Sequence, residues 1–226
     1  FDNLYASLAE PAYRDRPNKF PYEQLDPESR KKFDSGKSIE FNFSIDAKDK
    51  DGQITKGGGT DLPNGGNVYL QPDNKKLLED EETGYHAYYV TDTDTINANT
   101  HQTYFAIRGS DGFGFNLSQI KKGNFKEFNY QDWINNDAAF ALTDAIVPQA
   151  QYATKGMKEK ITELEEKAAP DAKIDVTAHS LGTMVSVQGL AGLSESELNH
   201  VGKAVLFDGP DTTLSLIKAG YSPEKL

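Results

Sequence analysis

Apolar and polar residues alternate along three stretches in the first half of the chain, which is the pattern of half-buried β-strands. The first stretch has apolar side chains at Ile39, Phe41, Phe43 and Ile45. The other two, residues 85–90 and 103–107, are rich in aromatic and β-branched side chains and are separated by a turn-like run of Thr and Asp. Residues 46–74 are rich in Gly, Asp, Lys and Asn, which predicts hairpin turns and loops.

Helical spacing dominates the second half. Met157, Ile161, Leu164 and Ala168 follow one another at steps of four, three and four, which predicts one buried helix face that ends near Pro170. Two shorter helices are predicted nearer the N-terminus. A weak apolar stripe covers residues 4–13, and Asp26 before Pro27 and Glu28 is typical of an N-cap, with a helix to about Phe33.

The C-terminal part of the chain shows an alternation of helix and strand patterns. After the long helix we expect a strand at 174–177, a helix from 181 to about 193, a loop at 194–196 and a strand at 204–207. Such an alternation predicts a parallel sheet with right-handed crossovers. The fold class we predict is α/β, with a mostly parallel central sheet flanked by helices on both sides and an antiparallel strand or two at its N-terminal edge.

Charge and composition narrow the choice of partners. The chain has 226 residues, enough for a single domain over 1–226, and its net charge of -11 disfavours nucleic acid and anionic membranes. No stretch is long and apolar enough to form a transmembrane segment. The absence of Cys excludes disulfides, thiolate metal sites and a Cys nucleophile. We predict neither a metal nor a cofactor, since the Asp49 to Ile54 segment lacks the first and last ligands of a calcium loop and is better explained as a hairpin turn.

Ser180 is the strongest candidate for chemistry. It lies in Ala178-His179-Ser180-Leu181-Gly182, between the predicted strand and helix. A nucleophilic Ser on such a tight turn needs small neighbours two residues before and after it, which Ala178 and Gly182 supply. The alternative is an accidental strand–helix junction. Because His179 adjoins Ser180, its side chain is expected to point away from the nucleophile.

Three ordered motifs resemble the class 3 lipase family. They are Ala106-Ile107-Arg108-Gly109-Ser110, then Asp132-Trp133 through Asp137, then the segment around Ser180. The resemblance covers about residues 85–210, with Ile107 where the family more often has Phe. It implies an α/β-hydrolase fold and an oxyanion hole formed by Ser110 and by the backbone N–H of Leu181. A plain turn residue is the alternative for Ser110.

The resemblance also implies roles for the segment between the first two motifs. Family members keep their lid here, so residues 111–131, which carry several large apolar side chains, are a candidate lid, with an ordinary packed insertion as the alternative. We expect Arg108 to anchor its loop by pairing with Asp132 or Asp137, and Trp133 to pack in the core.

The residues that would handle the proton are harder to assign. Asp208 follows the last predicted strand and is a candidate catalytic acid, with a turn residue as the alternative. His200 precedes that strand and is expected at the opposite sheet edge, while His86 and His101 fit no triad order. We therefore expect the catalytic His to lie beyond Leu226, with either Asp208 or a residue beyond Leu226 as the acid, so that this domain is incomplete at its C-terminus.

Together these features predict a serine ester hydrolase of the lipase or phospholipase type, acting on lipid esters through an acyl-enzyme on Ser180. The weaker resemblance to exported lipase toxins of bacteria implies a secreted protein with an immunity or chaperone partner. The alternative is a catalytically inactive hydrolase fold that serves as a protein-interaction domain.

Overall fold

The computed structural model describes residues 26–42, 47–48, 54–55, 67–108, 138–179 and 181–207. The helices in these segments are α1 (Pro27–Asp34), α2 (Ala138–Lys167), α3 (Leu181–Ala191) and α4 (Glu195–Leu198). The strands are β1 (Ile39–Asn42), β2 (Ala47–Lys48), β3 (Ile54–Thr55), β4 (Asn67–Gln71), β5 (Glu79–Asp80), β6 (Tyr85–Thr91), β7 (Gln102–Ile107), β8 (Lys173–His179) and β9 (Val201–Phe207).

Seven of these strands form one mixed sheet. Its order is β1-β4-β6-β7-β8-β9, and the short β5 pairs with β6. The pairs β7–β8 and β8–β9 are parallel, whereas the other four pairings are antiparallel. The prediction of an α/β fold with a parallel part is confirmed, but the described sheet is not mostly parallel. A parallel pair needs a long crossover, and among the described elements only β7, β8 and β9 have helices between them.

One face of the sheet packs against α2 and α3. The buried side chains of α2 and α3 pack on alternate strand residues, among them Tyr89, Phe105 and Val176, none of which is exposed. Both helices therefore lie on the same face. The other face also carries buried side chains, among them Leu70, Val90 and Tyr104, and the prediction of helices on both sides of the sheet stays a prediction. The two crossovers step in the same direction along the sheet, and crossovers of the same hand then put their helices on the same side.

The two helices approach each other closely at Gly189. The Thr154 hydroxyl donates to the carbonyl of Gly189 at 2.9 Å and to that of Ala150, one turn earlier on its own helix, at 3.0 Å. A Cβ at Gly189 would lie 2.9 Å from that of Ala153 and 2.8 Å from the methyl group of Met157. The small side chains that the sequence places in α3 thus allow close helix packing.

Local predictions met different outcomes. Asp26 caps α1 by accepting from the N–H groups of Glu28 and Ser29, as predicted. β2 and β3 form an antiparallel pair, which confirms the hairpin predicted around Asp49 to Ile54 in place of a calcium loop. The prediction of a loop at 194–196 was wrong, because Ser194 and Glu197 form a capping box that starts α4.

Two further predictions concern the N-terminal half. β4 lies inside the segment predicted as loops. The sequence did not reveal it because its five residues, between Gly66 and Pro72, are too few to give a clear pattern. The helix predicted at 4–13 lies outside the described residues.

Candidate active site

The strand–turn–helix around Ser180 has the predicted form. β8 ends at His179 and α3 begins at Leu181, so one residue separates the strand from the helix. The preceding Ala178 is completely buried, and so are Thr183, Met184 and Val185 in the first turns of α3. Ser180 itself lies outside the described residues. Leu181, the other elbow residue with a predicted role, is the first residue of α3, where N–H groups have no partner within the helix.

The carboxyl ends of three parallel strands meet at this edge of the sheet. Ile107 in β7 pairs with Ala178 in β8, and Ala178 pairs with Leu206 in β9. Because the strands are parallel, their carboxyl ends lie at the same edge of the sheet. β7, β8 and β9 precede Ser110, Ser180 and Asp208 in the chain. These three strands therefore end side by side, as the predicted parallel sheet requires.

The residues proposed for the oxyanion hole, the acid and the lid lie mostly outside the described segments. Ser110, Asp208 and residues 111–131 belong to this group, as do Asp132, Trp133 and Asp137. Arg108 is described and half-buried, and its N–H donates to the carbonyl of His86 at 2.9 Å. The predicted pairing of Arg108 with Asp132 or Asp137 stays a prediction.

Two of the histidines lie at the far edge of the sheet. His101 accepts an N–H bond from Lys173 at the start of β8, and its Nδ1 lies 2.9 Å from Asp171. His200 accepts from the N–H of Ile174, and its Nε2 lies 2.9 Å from Glu165 in α2. The prediction that His200 sits at the edge remote from Ser180 is confirmed. Neither residue can supply the base for chemistry at the carboxyl ends of β7, β8 and β9.

His86 occupies a different place. It is the second residue of β6, which runs antiparallel to β7, so the start of β6 lies beside the end of β7. His86 is therefore at the same edge as the strand end that precedes Ser180. The order of His86 along the chain does not indicate this position. The predicted hairpin of the two strands would have revealed it, since strands joined by a tight turn are antiparallel.

A compact polar turn fixes the start of β6. The Asp80 carboxylate accepts from the N–H of Thr83 at 2.8 Å and from its hydroxyl at 2.6 Å, and these bonds hold the pKa of Asp80 below its ordinary value. The nearby Asp80 carboxylate raises the pKa of Tyr152 above its ordinary value, and the Tyr152 ring stacks on Tyr85 at a centroid distance of 5.8 Å. Gly84 has φ of 73°, a conformation that favours Gly.

Burial removes Tyr85 from the candidates for proton transfer. Its side chain is completely buried, which raises the pKa of the phenol well above its ordinary value. At neutral pH the Tyr85 phenol stays protonated, and its ring packs in the core.

Other types of site find no support within the segments that the structure describes. No cluster of three or more His, Asp or Glu side chains there could hold a metal ion. None of the helices described combines the length and the apolar character that crossing a membrane requires. Searches against protein-family models, curated proteins and solved structures gave no match to this chain.

Proposed function

We propose that the chain is a serine ester hydrolase that acts on lipid esters through an acyl-enzyme on Ser180. The observation that carries the proposal is the single-residue connection between β8 and α3 at the sheet edge where β7 and β9 also end. A nucleophile in that position is held at a strand end and at a helix N-terminus, whose free N–H groups stabilise negative charge.

The chemistry follows from this arrangement. Ser180 attacks the ester carbonyl, and the oxyanion that develops is stabilised by the backbone N–H of Leu181 together with Ser110. Loss of one such donor typically costs two to three orders of magnitude in rate, about 2.7–4 kcal/mol. The alcohol leaves, and water then releases the fatty acid from the acyl-enzyme.

The register of β8 and β9 supports Asp208 as the acid. Phe207 pairs with His179, so Asp208 and Ser180 each follow one member of a paired position. Lipid esters are the preferred substrates because residues 111–131 carry several large apolar side chains between two motifs that resemble those of class 3 lipases. Secretion from a bacterium, and an immunity or chaperone partner, are part of the same proposal and rest on the weaker resemblance to lipase toxins.

The test is covalent labelling by a fluorophosphonate probe, which forms its bond to an activated serine oxygen. We expect the wild-type protein, tested together with the chain beyond Leu226 that is expected to carry the base, to be labelled and Ser180→Ala to reduce labelling to background. Ser196→Ala is a matched control, because Ser196 is an exposed serine at the start of α4, and it should be labelled like the wild type.

The same experiment distinguishes an active enzyme from the alternative, an inactive hydrolase fold. A folded wild-type chain that the probe does not label would favour an inactive hydrolase fold that serves as an interaction domain. Equal labelling of the wild type and of Ser180→Ala would place the reactive serine elsewhere and contradict the proposal.

A further inference from the structure

We draw no further inference here: the strongest candidate, the outer edge of β9, where the described sheet ends and where Ala204 and Leu206 are exposed, carries none because nothing in the described segments shows what covers it.

Discussion

Asp92 is a carboxylate that the turn between β6 and β7 closes off from water. Its side chain is 4% exposed, and one oxygen accepts the N–H groups of His101 and Gln102 at 3.0 and 3.1 Å. Desolvation outweighs these bonds and raises the pKa of Asp92 above its ordinary value. This carboxylate therefore shapes the turn at some cost in stability at neutral pH.

The sign of the pH dependence follows from that shift. A raised pKa means that the folded chain binds the proton more tightly than the unfolded chain, so the contribution of Asp92 to stability falls as pH rises from the ordinary Asp value through the raised one. Asn has the same shape and keeps an oxygen for both N–H groups. We expect Asp92→Asn to gain stability relative to wild type as pH rises through that window.

The measurement is urea unfolding of both proteins from acid to neutral pH. The difference in unfolding free energy should move in favour of Asp92→Asn with rising pH and level off above the window. Curves that stay parallel throughout would show that the carboxylate of Asp92 is not the group responsible.

At the scale of elements, the packing of α2 on α3 depends on the absence of a side chain at Gly189. The side chains of Ala153 and Met157 that adjoin Gly189 belong to a well-packed core, in which added methylenes force shifts that typically cost about 1–3 kcal/mol. Gly189→Leu should destabilise the fold by at least that amount, although Leu is the better helix former. The cost arises because Ala153 lies on a helix that cannot yield locally.

Val187→Leu is the matched control for this change. Val187 is on the same helix but only half-buried, so the larger side chain can be accommodated toward solvent. We expect the urea midpoint of Gly189→Leu to fall clearly and that of Val187→Leu to stay close to wild type, with similar slopes. A small effect at both positions would mean that α2 and α3 are not packed at Gly189 as described.

At the scale of the whole molecule, the net charge of -11 controls the approach to lipid surfaces. Like charges repel over the Debye length, which shortens from about 30 Å at 0.01 M salt to about 8 Å at 0.15 M. We expect association with vesicles that contain anionic lipid to increase with salt over this range, and association with zwitterionic vesicles to change little.

Co-sedimentation at matched lipid concentration measures the association of the chain with both kinds of vesicle. Weaker binding to anionic vesicles at higher salt would indicate a local cationic surface that dominates the net charge. The proposed hydrolysis does not enter this measurement, so its result is independent of Ser180.

The sequence by itself determined the elements with strong periodic or capping signals. Met157, Ile161 and Leu164 marked the buried face of α2, and Asp26 marked the start of α1. These signals are local, because helix faces and caps depend on residues three or four apart. The same locality explains the strand–turn–helix around Ser180, where an apolar strand and small helix residues adjoin in the chain.

Only the tertiary structure decided which strands pair and which ends meet. The antiparallel pairing of β6 with β7 brings His86 to the edge where β8 ends, although 94 positions separate its number from that of Ser180. The order of the parallel strands put α2 and α3 on one face, and no local pattern encodes that. Pairing depends on contacts between residues far apart in the chain, so the polar groups at the sheet edge became visible only once the sheet was assembled.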